Sequence, residues 1–379
     1  MNTKYWVAGA LLAAGMVAPA LAQTATFTVD CAGGQSIQQA VTRGDARKPL
    51  LVIVRGTCNE SVTISRDDVT LRGDPQVGGT VVGMAGRDTI LITASRVNIE
   101  NLDIVGGNIG IRLQGPFYAG VSDSHVSGAS NTGILVREGA IAISETTVED
   151  GGNNGLALRR GAVGRVLNSQ FSGSKFAGIY VYGNSTAEVS GSEMNANGSH
   201  GVQFEGGSRG GLSGNLISGN AGSGVIVNAS NVTLGNNTIT ANAGHGVVAE
   251  AAAIVGLSGN TITSNGLNGV IGYLGPTLVM RGDDVSSNSE TGVYCRMNCT
   301  LQIGGGTITG NGHHGVLVML GSRVIFEGPD ITYGAGNSGW VDLWCGDKES
   351  SVDGAEGLTV DGNVYFAGSV AETCTGFDD

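Results

Sequence analysis

Aromatic side chains make up only 5% of the 379 residues, and charged ones only 14%. A chain this poor in Phe, Trp and ionised groups lacks the material for several compact cores, so the two or three globular domains that length alone suggests are not expected. Basic residues are scarcer still, with 20 Lys and Arg against 32 Asp and Glu and a net charge of −12. That balance excludes a general affinity for nucleic acid and for anionic surfaces, so an anionic ligand would need a local basic patch. Long apolar runs are missing beyond the N-terminus, because glycines and polar residues interrupt each one. No membrane insertion is therefore expected.

The N-terminus is the exception. Met1-Asn2-Thr3-Lys4 carries one positive charge, an apolar run extends from Trp6 to Val17, and Pro19-Ala20-Leu21-Ala22 precedes Gln23. These are the parts of a cleavable export signal, and the run is too short to span a bilayer comfortably. Residues 1–22 are expected to be a signal peptide and 23–379 a single exported domain, secreted or periplasmic. The six cysteines fit an oxidising compartment. They fall in three local pairs, Cys31 with Cys58, Cys295 with Cys299 and Cys345 with Cys374. Local pairing is expected where only neighbouring units touch, although sequence alone does not fix connectivity.

What the chain has in abundance is glycine, 66 residues, well above the usual ~7%. The glycines are periodic. A Gly followed by an alternating strand recurs at Gly110, Gly133, Gly155, Gly178, Gly201, Gly224, Gly246, Gly269, Gly292, Gly315 and Gly339, with spacings of 22 to 24 residues. Each unit holds a second short strand, such as Thr238-Ile239-Thr240, and a weaker third, such as Asn231-Val232-Thr233-Leu234. Three short strands and three turns in roughly 23 residues make one coil of a parallel β-helix. The expectation is an all-β, right-handed solenoid of about eleven coils. Ser36-Ile-Gln-Gln-Ala-Val41 reads as a helix plugging its N-terminal end. Residues 23–75 would form the N-terminal cap and first coil, 76–339 the repeats and 340–379 a C-terminal cap. A ladder of Asn197, Asn220, Asn242, Asn265, Asn288 and Asn311, each four residues before a repeat Gly, reads as structural. Asn suits a left-handed corner, and stacked amides can bond one another.

The Asn-x-x-x-Gly-(Ile/Val)-x-Val units resemble the right-handed β-helix repeat family of the pectate-lyase-like superfamily. So do Ser36–Val41, Leu51-Val-Ile-Val-Arg-Gly56 and Val69-Thr-Leu-Arg-Gly73. The resemblance covers nearly all of residues 23–379. Its members include polysaccharide lyases, hydrolases, epimerases, adhesins and carbohydrate-binding periplasmic proteins, so it implies fold more than activity. The Gly244-His245-Gly246 and Asp283-Asp284 elements occur in the opposite order to those of polygalacturonases. Units such as His200-Gly-Val-Gln-Phe204 look closer to mannuronan epimerases, whose Asp-Pro-His element is not present.

Stacking turns outward residues of adjacent coils into neighbours. One region is richest in reactive groups: Arg137, Arg159, Arg160, Lys175, Tyr180, Tyr182, His200, Gln203 and Glu205. The set suits a uronate sugar. Arg137 and Arg159 could hold a carboxylate in bidentate fashion. Abstracting the adjacent proton would fall to His200 or Lys175, with Tyr180 or Tyr182 as acid or stacking ring. His200, Lys175, Tyr180 and Arg159 are the catalytic candidates; Arg137, Arg160, Tyr182, Gln203 and Glu205 are the binding candidates. Two readings stay open. One is an enzyme on uronate polymers, lyase-like or C5-epimerase-like. The other is a non-catalytic cell-surface or periplasmic module. Polysaccharide is the expected partner, of a monomeric protein. No metal site or cofactor is expected, with calcium left open; Asp283 and Asp284 lie too many coils from the turn acids Asp67, Asp68 and Asp74 to share a site with them, and all read as solvated turns. An outward apolar stripe of Leu135, Ile226, Val248, Ile271 and Leu317 could be covered by turns or could be an interaction surface.

Overall fold

Alternation of apolar and polar residues over three to five positions, broken by Gly, Asn and Ser, builds short strands that must pair with the next coil to bury their apolar sides. The computed structural model describes residues 24–327 and the segments 331–333, 343–345, 350–353, 359–360 and 364–366. Every strand pairing within them is parallel, in one sheet of 26 strands and one of 14. The 26-stranded sheet carries two strand columns of the coil, and the 14-stranded sheet carries the strands that follow the repeat glycines. The expected signal segment, residues 1–22, and the expected Cys345–Cys374 pairing lie outside the described residues.

The count of coils rises from eleven to about thirteen. The Gly-led sheet starts before Gly110, with Val62–Ile64 and Ile90–Ile92. Val62 pairs with Ile90 and Ile90 with Ile111, separations of 28 and 21 residues that hide these coils from a search at 23. At the other end Val316 pairs with Leu343, three residues past the Trp340 that the Gly339 unit placed there. A last strand, Val364–Phe366, follows. The expected helical cap is also corrected. The short helix expected there forms, but among the described residues only its five residues, Ile37–Val41, are helical, one turn rather than a plug. The turn buries Ile37, Ala40 and Val41. Glu60 holds its start, accepting from Ser36 Oγ at 2.8 Å and from the Ile37 amide at 2.7 Å.

One continuous core of Val, Ile and Leu runs the length of the rod. The first and third residues after each repeat Gly point into it, as Val225 and Val227 do at 0% exposure. The repeat glycine itself is required by close approach rather than by unusual backbone angles. A Cβ on Gly224 would stand 2.5 Å from Ile239 Cγ2 and 2.8 Å from the Gly246 carbonyl oxygen.

The Asn ladder is confirmed as structural, with one correction. Asn242 donates to Asn265 Oδ1 at 3.0 Å and accepts from Asn220 Nδ2 at 2.8 Å, and the same bonds recur up the column. The left-handed residue is the one before each Asn: Ala196, Gly219, Ala241, Ser264, Ser287 and Gly310, with φ between 51° and 63°. A second ladder, Asn215–Asn237–Asn260, stands at another corner and ends on buried Asp283, which accepts from Asn260 Nδ2 at 2.8 Å. Burial pushes the Asp283 carboxyl above its ordinary range. The other turn acids are engaged as well: Asp67 and Asp68 with Arg96, Asp74 with Arg55, and Asp284 with Thr307.

Two disulfides form as paired in the sequence. Cys31–Cys58 ties the first strand to the second, and Cys295–Cys299 lies in the core, with both cysteines at 1% exposure or less.

Candidate functional site

Along the outward face of the Gly-led sheet, the second residue of each strand from Arg112 to Leu317 is buried or half-buried, a sunken column termed the trough. Its floor is the second residue of each strand. Leu135, Ala157, Val248 and Ile271 in that column are buried although they point away from the core, while Ile226 and Leu317 are half-buried. Of the two readings of the apolar stripe, covered or open as an interaction surface, the structure favours the covered one. The fourth residue of each strand forms one wall.

Four consecutive coils bring most of the candidates together. Arg137 pairs in register with Arg159, Arg159 with Tyr182, Tyr180 with Gln203 and Tyr182 with Glu205. Arg137, Arg159, Arg160, Tyr180 and Tyr182 line a cleft of about 290 Å³. The Arg159 guanidinium lies over the Tyr180 ring, 5.6 Å from its centroid, and the Tyr180 and Tyr182 rings stack at 6.0 Å. Tyr180 donates its hydroxyl proton to Glu205 Oε2 at 2.7 Å, and Gln203 Nε2 donates to Glu205 Oε1 at 2.6 Å. Burial, then the Glu205 carboxylate, holds the Tyr180 hydroxyl protonated far above the usual phenol range.

The charges are unevenly compensated. Arg112 pairs with Asp88 at 2.7 Å, and Arg160 approaches Glu138 at 3.8 Å. Among the described residues Arg137 and Arg159 have no acidic partner. Burial and the guanidiniums of Arg112, Arg160 and Arg159 push the Arg137 pKa down, opposed by the Asp88 that pairs with Arg112. The Nε of Arg159 is buried without a hydrogen-bond acceptor, and so is Gln203 Oε1 without a donor.

Two candidates stand apart from this cluster. Lys175 is exposed on the turn before the Tyr180 strand, and its ammonium has no partner among the described residues. His200 reaches the cluster through Phe176, which packs edge-on against both His200, at 6.1 Å, and Tyr180, at 6.2 Å. His200 Nδ1 accepts from the Ser223 amide at 3.0 Å. That bond uses the lone pair, so the neutral ring carries its proton on Nε2 and offers a donor there. Phe176 was not singled out in the sequence, because it lies on a turn outside the alternating strand.

The position before each repeat Gly explains the histidines. Asn154 and Asn268 sit in the same column and accept through Oδ1 from the amides of Ala177 and Thr291. His245 does the same through Nδ1 with the Asn268 amide, at 3.1 Å. Burial depresses both histidine pKa values, opposed by Glu205 and Glu250 near His200 and by Glu290 near His245, where Arg296 adds to the depression. Protonation would also set one N–H against another. Unfolded histidine takes up its proton near 6.5 while the folded rings resist. Stability is therefore complete above that value and falls as pH drops through it towards the folded pKa values. The double variant His200→Asn, His245→Asn keeps the acceptors without the titration. It is expected to match the parent's melting temperature near neutrality and to lose less on acidification to about pH 5. Parallel melting curves at both pH values would remove this account.

Strands, turns and trough together define a right-handed parallel β-helix with one functionalised sheet face. The chain matches the right handed beta helix region over residues 132–275 and 228–363, and it belongs to that family. No curated protein matches it. Among solved structures it is similar to the Azotobacter vinelandii mannuronan C-5 epimerase AlgE4 A-module, at 16% identity and a TM-score of 0.57. The match covers 79% of this chain and 95% of that one. The AlgE6 A-module from the same organism is similar at 15% identity and a TM-score of 0.50, over 84% and 94%. At such identities the likeness is one of fold.

Proposed function

We propose that this chain is an exported protein that binds an acidic polysaccharide of the uronate type in the trough over its Gly-led strands. The observation that carries the reading is the pair of guanidiniums, Arg137 and Arg159, without acidic partners in a cleft floored and flanked by tyrosine rings. A protein with net charge −12 has no reason of stability to gather four arginines on adjacent coils, and a carboxylate ligand supplies the missing counter-charge. Tyr180 and Tyr182 give ring faces on which a pyranose can lie. The two disulfides agree with an oxidising, exported location, and both modules named above belong to mannuronan C-5 epimerases.

Binding without bond cleavage is the version the geometry supports best. His200 presents a donor rather than a base, Lys175 contacts none of the cluster, and Tyr180 holds its proton firmly. Calorimetric titration with polygalacturonate, alginate and a neutral glucan, each with and without calcium, tests the reading. Binding to the uronates that weakens with added salt is expected, with no rise in ultraviolet absorbance from unsaturated ends. Flat titrations with every uronate would overturn it, and a rise in absorbance would restore the lyase reading.

A further inference from the structure

The fourth residues of seven consecutive Gly-led strands read Arg159, Tyr182, Glu205, Asn228, Glu250, Tyr273, Arg296. The register makes them successive rungs of one column, with Glu205 and Asn228 one place beyond the Phe204–Val227 pair. The order is the same from either end, with Asn228 at the centre. The contacts repeat with one difference: in the first half the ring that meets both arginine and glutamate is Tyr180, two residues before Tyr182 and outside this column. The Arg159 guanidinium lies 5.6 Å from the Tyr180 centroid, and that of Arg296 lies 5.4 Å from Tyr273. Glu205 accepts the Tyr180 hydroxyl and a side-chain amide, from Gln203; Glu250 accepts the Tyr273 hydroxyl and a side-chain amide, from Asn228. Burial and Glu250 push the Tyr273 pKa up to about 12. Each glutamate shares its coil with a histidine, His200 or His245. Like Arg159, Arg296 has a buried Nε without an acceptor and, among the described residues, no acidic partner.

The common element is a guanidinium held over a tyrosine ring whose hydroxyl is tied to a glutamate. Tying the carboxylate to the phenol and an amide occupies both its oxygens and leaves the guanidinium free for an external anion. We propose that Arg296, Tyr273 and Glu250 form a second anion subsite equivalent to that of Arg159, Tyr180 and Glu205, and that one acidic saccharide chain spans both. The inference rests on the function proposed above. Six rungs separate the two arginines, roughly 29 Å at the strand spacing. On the three coils of Glu205, Asn228 and Glu250 the floor is Gln203, Ile226 and Val248. That middle stretch suits sugar ring faces and hydroxyls, so two of the ligand's carboxylates are taken at the ends and those between them face solvent.

Chain length is the discriminating variable. A dimer of galacturonate is too short to bridge and fills each subsite separately, whereas a chain spanning ~29 Å closes the second contact at an effective concentration that raises affinity about 100-fold or more. Titration of the parent, Arg159→Ala and Arg296→Ala with galacturonate oligomers from dimer to dodecamer reads this directly. Two dimers per parent chain are expected, one per chain in either variant, and one dodecamer per parent chain with the affinity gain lost in both variants. Arg296→Lys, which keeps the charge, should recover part of the gain. One dimer per parent chain, or dodecamer affinity unchanged in Arg296→Ala, would overturn the second subsite while leaving the proposed function intact. A parent that binds no oligomer would overturn both.

Discussion

Asn242→Ala is expected to lower the free energy of unfolding by about 4 kcal/mol or more, from a single substitution that touches no ligand. Asn242 is 1% exposed, and its amide makes four hydrogen bonds. Oδ1 accepts from the Asn220 amide at 3.2 Å and from Asn220 Nδ2 at 2.8 Å. Nδ2 donates to the Ile217 carbonyl at 3.1 Å and to Asn265 Oδ1 at 3.0 Å. Alanine takes the side-chain partner from the Asn220 amide and the Ile217 carbonyl, while Asn220 Nδ2 keeps the Met194 carbonyl and Asn265 Oδ1 keeps the Asn242 amide; each unpaired buried group costs about 1–3 kcal/mol. Because a coil contacts only its neighbours, the defect also weakens the coupling between the two halves of the rod. Urea unfolding of Asn242→Ala beside Asn231→Ala, whose side chain is exposed, makes the comparison. The exposed variant should stay within about 0.5 kcal/mol of the parent. A gap between the two variants smaller than about 1 kcal/mol would mean that the amide column is ornamental.

That column also shows where sequence reading reaches and where it stops. The 22-to-24-residue spacing of Gly followed by Ile or Val was enough to place the coils from Gly110 to Gly315 and to assign inward and outward residues, because each coil obeys one rule. It stopped at both ends for a physical reason. Between Val62 and Ile90 the turns lengthen, so the period is lost while the pairing continues. Near Gly339 the strand forms three residues later than the glycine suggests. The Asn corner was legible as a ladder, but its left-handed residue is Ala196 or Ala241 in places, which composition does not announce. At the site, register alone brought Tyr180 beside Gln203 and Arg137 beside Arg159. Which groups satisfy one another was not legible. The tie between Tyr180 and Glu205, the lone pair of His200 spent on a backbone amide, and the place of Phe176 depend on side-chain direction and turn geometry. The mirrored order of Arg159 to Arg296 stood in the column of outward residues and gained meaning only once the guanidiniums were seen to lie over rings.

The second large effect expected is on binding, and it should come without a loss of stability. Replacing Arg137 and Arg159 together by alanine removes two charge-assisted contacts to ligand carboxylates, each worth about 1.5–3 kcal/mol. The expected loss is therefore about 100-fold or more in Kd for a polyuronate. A structural ion pair would behave otherwise, since removing one partner strands the other. Here neither arginine has an acidic partner among the described residues, and Arg137 already bears the repulsion of Arg112, Arg159 and Arg160. The double variant should melt no lower than the parent, with relief of that repulsion offsetting the packing lost from the Arg159 stem over Tyr180. Arg209→Ala provides the control, because Arg209 is exposed on the other sheet. It makes the net charge more negative without touching the trough, so unchanged binding there separates a local site from a general charge effect. Binding that survives in the double variant, or falls as far in Arg209→Ala, would show that the arginines on the Gly-led face are ordinary surface residues. A folded protein that keeps like charges together at a cost in self-repulsion, and surrenders its ligand when they are removed, is behaving as a binding site built at the expense of stability.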